Sequence, residues 1–369
     1  MSELDHAWMA RALQLARKGL YSTHPNPRVG CVIVKDGVPV GEGWHVRAGE
    51  PHAEVHALRQ AGEAARGATA YVTLEPCSHY GRTPPCAEAL VKAGVGRVVA
   101  AMQDPNPQVA GRGLERLRAV GIEVSCGVLE SEARALNAGF IKRMEHGVPY
   151  VRAKLAMSLD GRTAMASGES QWITGPAARA EVQRLRAQAS VVLTGADTVL
   201  MDNARLTVRA AELGLDASTT ALAMQRPPLR VLIDGRLRVP LTAPFFQAGS
   251  SLVASTSDEQ AARYQAGGHE LLALPTPEGR VDLPGLLREL ADRGVNEVLL
   301  EAGPQLAGAF AAHGLIDEYQ LFVAAKFLGS SARPLLDLPL ERMSEARELR
   351  IGDIRAVGED WKITAFPHG

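Results

Sequence analysis

No feature of this 369-residue chain constrains its fold more than the placing of His52, Cys77 and Cys86. His52 begins His52-Ala53-Glu54; a strand-like run then leads to Pro76-Cys77, and Thr83-Pro84-Pro85-Cys86 follows. A neutral imidazole and two thiolates make a three-ligand set for Zn²⁺ with a fourth position left for water, which separates a catalytic zinc from a structural one. Glu54 can stand beside such a metal without ligating it and move protons between water and a substrate nitrogen. Any fold that uses these residues has to bring two helix starts and one strand end to a single point.

His-x-Glu followed by Pro-Cys-x-x-Cys is the pattern of zinc nucleobase deaminases. Here eight residues, Ser78 to Pro85, separate the cysteines where that pattern has two. A lone His-x-Glu is usually nothing, and a lone Pro-Cys is usually a turn with a buried thiol. In this order, with two prolines before the second cysteine, chance is a poor account. The run Thr73-Leu74-Glu75-Pro76-Cys77 through to Cys86 resembles the deaminase half of the bifunctional riboflavin-biosynthesis deaminase-reductase family, whose members carry the longer spacing. The resemblance extends upstream to Asn26-Pro27-Arg28-Val29-Gly30, and downstream to Asp104-Pro105-Asn106-Pro107 and Val109-Ala110-Gly111. It implies a cytidine-deaminase-like β/α domain in which Asn26, His45, His79 and Arg82 touch substrate. For His45 and His79 the plain alternative is a satisfied surface histidine.

The chain is long enough for two domains, each with a sizeable core. A formal charge of −1 offers no general attraction to nucleic acid or anionic membrane. No apolar run approaches the roughly 20 residues that span a bilayer, and the start Met1-Ser2-Glu3-Leu4-Asp5 is acidic rather than a basic leader. The expectation is a cytoplasmic enzyme, a homo-oligomer that binds neither nucleic acid nor membrane. In a reducing compartment the four cysteines are no disulfide framework. Cys77 and Cys86 read as ligands, Cys31 and Cys126 as core.

Ser2 with Asp5 reads as a capping box, and Trp8, Ala12, Leu15 and Gly19 mark one face of the helix that follows. A hairpin is predicted around Asp36-Gly37, with Pro39 making its second strand an edge. Helix 53–61, strand 70–74 and a helix begun by Pro84-Pro85 place zinc between the first turns of two helices, whose dipoles favour thiolates. Strand 97–102, helix 113–119, strand 122–126 and helix 131–143 complete an alternating β/α unit. Gly147 ends a helix and Pro149 precedes a fresh strand, so the deaminase domain is expected over 1–147 and a second domain over 148–369. That second half also alternates, with helices at 176–187, 283–293 and 306–312 and strands at 150–156, 191–194, 230–234, 251–254, 297–301 and 319–325. Residues 210–228 read as a loop.

The second half carries no zinc pattern, G-x-G-x-x-G or Walker A. A strand ending at Glu301 runs through a glycine-containing turn into a helix start, a ready phosphate cradle, yet alone it is an ordinary β-turn-α connection. Three stretches resemble the reductase half of the same family, which is similar in fold to dihydrofolate reductase: Lys154 to Gly161, Ser170 to Gly175, and Thr198-Val199-Leu200 through Leu206-Thr207-Val208-Arg209. The resemblance implies a nicotinamide-cofactor surface at Ala156, Trp172, Thr198, Asp202 and the turn Gly303, Pro304, Gln305, Leu306, Ala307, Gly308 and Ala309. It implies a substrate surface at Ser170, Arg186, Leu206, Arg209 and Glu301, with Lys154 at the pyrimidine. Arginine suits a ribose phosphate because its guanidinium binds phosphate bidentately; the bland readings are a solvated helix face for Arg186, a loop charge for Arg209 and a core position for Trp172. Asp202-Asn203-Ala204 and Glu301-Ala302-Gly303 stand where the family has Asp-Asp-Pro and Glu-Gly-Gly, and a methyl at Ala302 would crowd a phosphate.

The implied function is zinc-dependent deamination of a diaminopyrimidinone bearing a ribosylamino phosphate, then NADPH reduction of the ribosyl group to ribityl. A nucleic-acid or nucleoside deaminase with a non-catalytic accessory domain is the rival; strand binding would call for a basic, aromatic-bearing surface, and aromatics are 5% of the chain. A zinc-stabilised scaffold is a third, opposed by the incomplete ligand set, since structural sites are closed by four protein ligands.

Overall fold

Ser2 starts the first helix as its chemistry requires: its hydroxyl accepts the Asp5 N–H at 3.2 Å while Asp5 accepts the Ser2 N–H at 2.9 Å, a closed capping box. The computed structural model describes residues 2–78, 85–107 and 109–368. The chain divides into two units, Met1–Val148 and Pro149–Gly369.

In the first unit α1 (Glu3–Arg17) leads into the hairpin β1 (Gly30–Lys35) and β2 (Val38–Trp44), then α2 (Ala53–Ala61) and β3 (Thr69–Val72). There follow α3 (Cys86–Ala93), β4 (Arg97–Ala100), α4 (Arg112–Ala119), β5 (Glu123–Cys126), α5 (Glu130–Leu136) and α6 (Ala138–His146). The sheet order is β2-β1-β3-β4-β5; β1 runs antiparallel to both neighbours, and β3, β4 and β5 are parallel. Successive side chains of β1 go to opposite faces. Val32 and Val34 join Met9, Leu13, Phe140 and Ile141, whereas Cys31 and Ile33 join Ala57, Leu90 and Leu117. Both faces are therefore covered, which is why β1 reads as an unbroken apolar run.

Two close contacts position the site. A Cβ at Gly43 in β2 would lie 2.3 Å from the Ala53 carbonyl, so the first turn of α2 rests directly on the strand. The helix expected over 131–143 is instead two, broken at Asn137, whose buried side chain accepts the Arg28 N–H at 2.8 Å and donates to the Arg28 carbonyl at 2.9 Å. An Asn that satisfies another segment's backbone competes with its own helix, and the bond holds the Asn26–Arg28 loop. Cys126 is only half-buried, because β5 is a sheet edge.

The second unit runs β6 (Tyr150–Ser158), β7 (Arg162–Ala164), α7 (Pro176–Gln188), β8 (Val191–Gly195), α8 (Ala196–Asp202), α9 (Ala217–Met224), β9 (Leu229–Ile233) and α10 (Pro244–Gln247). It continues with β10 (Leu252–Ser255), α11 (Ala261–Ala266), β11 (Glu270–Ala273), α12 (Leu283–Asp292), β12 (Glu297–Leu300), α13 (Pro304–Ala312), β13 (Glu318–Ala324), β14 (Arg333–Pro334), β15 (Leu349–Val357) and β16 (Asp360–Pro367). Nine strands form one sheet in the order β11-β10-β9-β8-β12-β6-β13-β16-β15, parallel from β11 to β13 and closed by an antiparallel hairpin. The expected loop 210–228 contains α9, started by Asp216 accepting the Thr219 N–H at 2.9 Å. No helix among the described residues is long and apolar enough to cross a membrane.

Candidate active sites

His52 is the residue before α2, in extended conformation, and Cys86 is the first residue of α3. Cys77 lies on the segment that leaves β3. The three meet: His52 Nδ1 is 3.6 Å from Cys77 Sγ and 3.3 Å from Cys86 Sγ, and all three ligand atoms lie within 4.8 Å of one another. Bonds of ~2.3 Å to sulfur and ~2.1 Å to nitrogen at a tetrahedral angle put the donors ~3.6 Å apart. The donor set therefore fits zinc. The Cys86 thiol and backbone N–H (3.3 Å) and the His52 ring turn towards Cys77 Sγ, which holds Cys77 well below the ordinary thiol range and leaves Cys86 above it.

Glu54 lies in the first turn of α2, 3% exposed, with Oε2 free of any hydrogen-bond partner. Burial pushes its carboxyl up to about 7. His45 is buried as well, not a surface histidine, and meets His52 edge-on with ring centroids 5.3 Å apart. Its Nδ1 is 3.2 Å from the Pro51 carbonyl, which only accepts, so Nδ1 carries the hydrogen and Nε2 accepts from Asn26 Nδ2 at 3.0 Å. Burial lowers His45 to about 4, so the ring is neutral. His79 and Arg82 lie outside the described residues.

The second unit opens a cleft of ≈ 1680 Å³. Of the positions expected to bind cofactor or substrate, Lys154, Ala156, Ser170, Trp172, Arg186, Thr198, Asp202, Leu206, Arg209, Glu301, Gly303, Pro304, Gln305, Leu306 and Ala309 line it. Ala307 and Gly308 do not. They lie on the inner face of α13, where Ala307 is fully buried and a Cβ on Gly308 would meet the Asp337 carbonyl at 2.1 Å. Gly303, by contrast, has open space, with Thr198 Oγ1 nearest at 4.0 Å.

Arg186 is no solvated helix face. Its guanidinium grips Glu301 at 2.5 and 2.9 Å and donates to the Thr207 carbonyl at 3.1 Å. Burial pushes Glu301 up, but Arg186 outweighs it and holds the carboxylate below its usual range. Arg209 is 49% exposed at the rim, paired with Glu212 at 2.6 Å. Ser170, expected on the substrate side, donates to Asp202, expected on the cofactor side, at 2.7 Å. Trp172 is 62% exposed with the Arg179 guanidinium 4.5 Å over its ring, which disposes of the core reading. Burial lowers Lys154, whose charge faces Glu301, Arg186 and Asp202. Sequence reasoning passed over Gln183, a buried residue of α7 that accepts the Arg209 N–H at 2.9 Å, and Glu75, considered below. A glutamine in a helix and a glutamate before a proline carry no signal by themselves.

Comparison with known proteins adds to this geometry. Residues 2–102 match the model of the cytidine and deoxycytidylate deaminase zinc-binding region, and residues 149–363 match that of the RibD C-terminal domain. The chain is 56% identical over 361 residues to the riboflavin biosynthesis protein RibD of Escherichia coli K12, covering 96% of this chain and 97% of that one. The solved structure of Acinetobacter baumannii RibD, form 1, is similar with a TM-score of 0.91 at 48% identity, covering 100% of this chain and 99% of that chain. A Thermotoga maritima diaminohydroxyphosphoribosylaminopyrimidine deaminase/5-amino-6-(5-phosphoribosylamino)uracil reductase gives a TM-score of 0.83 at 33% identity, covering 99% of each chain.

Proposed function

This chain belongs to the RibD family of riboflavin biosynthesis proteins, and from that premise we propose which residues do the work in each half. It is a bifunctional enzyme: it hydrolytically deaminates 2,5-diamino-6-(5-phosphoribosylamino)pyrimidin-4-one and then reduces the ribosyl group to ribityl. Its cofactors are zinc and NADPH. We assign deamination to residues 1–147 and reduction to 148–369.

His52, Cys77 and Cys86 hold the zinc, which when bound acidifies water so that hydroxide is available near neutral pH. Glu54 has no partner at Oε2, so that atom is free to hold a proton and to pass it to the pyrimidine nitrogen and the departing amine. Neutral His45 holds Asn26 by its amide, which orients the Asn26 loop at the substrate; His79 and Arg82 are assigned there by family likeness. The observation that carries this reading is the convergence of an incomplete zinc ligand set on a buried carboxylate whose Oε2 has no hydrogen-bond partner.

In the second unit Gly303 and the start of α13 offer backbone N–H groups to the NADPH pyrophosphate, with open space at Gly303 and Ala302 beside it on the cleft wall. NADPH, when bound, supplies the hydride. A cleft larger than the ~300–1,000 Å³ of single-ligand pockets suits cofactor and substrate together. Ala156, Trp172, Thr198 and Asp202 face the cofactor, and Lys154, Ser170, Leu206 and Glu301 the substrate. Because Arg186 is already gripped by Glu301 and Thr207, its part is to shape the Leu206–Arg209 loop, and Arg209 meets the ribose phosphate. The direct test supplies pure protein with the diaminopyrimidinone substrate and follows ammonia and NADPH absorbance separately. Failure of either signal removes the corresponding half of the reading.

Arg209→Ala is expected to raise KM for the deaminated intermediate with NADPH kinetics unchanged, because loss of a phosphate contact removes uniform binding of one ligand. A charge-assisted bond worth about 1.5 to 3 kcal/mol gives a rise of roughly ten- to a hundredfold. An effect confined to NADPH would move Arg209 to the cofactor side.

The enzyme is assigned to the cytoplasm, in keeping with four free cysteines, and to a homo-oligomer. β15 supports the latter: it is nine residues long, ends the sheet, and exposes Ile351 and Ile354, with Trp361 exposed on its neighbour β16. Long apolar edges left open invite pairing. Sedimentation is expected to give more than one chain per particle, and Ile354→Lys to shift it towards one; a parent that sediments as a single active chain would remove the assignment.

A further inference from the structure

Glu75 stands two residues before Cys77 and is 3% exposed, yet the chemistry assigned above makes no use of it. Its carboxylate points across the unit to the segment between β4 and α4. There Oε2 accepts the N–H of Asp104 at 3.1 Å and of Gly111 at 2.8 Å, while Oε1 accepts the N–H of Gly113 at 2.8 Å and of Leu114 at 3.3 Å. Gly113 and Leu114 belong to the first turn of α4, whose N–H groups have no partner within the helix and which favours negative charge. The backbone of Glu75 is held too, its N–H donating to Met102 at 3.0 Å. A Cβ added at Gly113 would lie 1.9 Å from the Pro76 carbonyl, so α4 starts in direct contact with the peptide that leads into Cys77. Asp104 and Gly111, from the stretches Asp104 to Pro107 and Val109 to Gly111 that were singled out in the sequence but absorbed by no chemistry, thus supply two of the four N–H groups that receive this carboxylate. Gly111 reaches the place with φ +87°, a conformation glycine adopts without strain.

We propose that Glu75 is a positioning residue of the deaminase centre: by clamping the Pro76–Cys77 segment to the start of α4 it keeps Cys77 Sγ within ligand distance of His52 and Cys86. The idea rests on Cys77 being a zinc ligand. Cys77 lies on a segment leaving a strand, not at a helix start like His52 and Cys86: the start of α3 holds it from one side, through the Ala87 N–H to its carbonyl at 3.2 Å, and the strand side needs a hold of its own. The Glu75 bonds supply that hold from one covalent step beyond Pro76. Glutamine cannot replace the carboxylate: one of its two heads is an NH₂ that would face two backbone donors and leave them unpaired.

The test uses the full chain and measures three things: the rate and equilibrium of zinc transfer to a coloured chelator, deaminase kcat and KM, and NADPH oxidation on pre-deaminated substrate. Glu75→Gln is expected to weaken zinc retention and lower deaminase kcat by roughly 10- to 100-fold, the usual cost of losing an outer-shell support. KM and NADPH oxidation should stay at parental values, and Glu75→Asp, which keeps the charge, should recover part of both losses. Gly113→Ala, which pushes α4 off Pro76, should loosen zinc in the same way. Parental zinc retention and kcat in Glu75→Gln would overturn the proposal. So would a first unit that no longer unfolds cooperatively while NADPH oxidation persists, because the carboxylate would then hold the fold and not the ligand. A parent chain that carries no zinc would instead overturn the metal assignment itself, so the two failures are distinguishable.

Discussion

Glu54→Gln is expected to lower ammonia release by ~10²- to 10⁴-fold, the usual cost of removing a general acid-base, with zinc content, and NADPH oxidation on pre-deaminated substrate, unchanged. The variant keeps the volume of the side chain, so the first turn of α2 still rests on β2 through Gly43 and the ligand set is undisturbed. It removes the proton that the carboxyl takes up and returns. That proton matters because burial raises the carboxyl from its ordinary value to about 7, which makes the group readier to take up a proton than an exposed glutamate. Single-turnover ammonia release, read with zinc stoichiometry, is the measurement. Deamination at the parental rate would make Glu54 a structural neighbour of the metal, and loss of zinc together with activity would make it a ligand support.

The ligand set was legible because chemistry restricts it to few residue types, and Pro85 marks the start of α3 beside it. Strands were legible wherever both faces are buried, as in antiparallel β1 or parallel β8, since burial writes an apolar run. β15 was not legible: it is exposed along almost its whole length, so no buried face imposes a period of two. α9 was missed because Ala, Ser and Thr alternate there without an apolar stripe. Arg186 shows a further limit. Its side chain looks solvated in a helical sequence, and only the fold brings Glu301 from β12's end to meet it. Glu75 and Asn137 satisfy backbone groups of distant segments, and such partners leave no trace in local sequence.

Removing zinc with a chelator is expected to abolish ammonia release while NADPH oxidation on pre-deaminated substrate continues. Among the described residues His52, Cys77 and Cys86 form the candidate metal cluster, and all three lie in Met1–Val148, whereas every residue assigned to reduction lies in Pro149–Gly369. Without the ion two thiolates cannot both stay charged so close together, and the geometry says which gives way. Cys86 takes the proton and Cys77 keeps its charge, since the Cys86 backbone N–H donates to Cys77 Sγ at 3.3 Å while His52 Nδ1 lies near both sulfurs. The apo site is therefore neutralised rather than dismantled, and added Zn²⁺ should restore deamination at about one ion per chain, the stoichiometry of a three-ligand catalytic site. Metal analysis, an ammonia assay and NADPH absorbance on one sample decide it. Ammonia release that survives complete zinc removal would refute the metal assignment, and NADPH oxidation that falls in step with it would refute the division of the two chemistries between the two units.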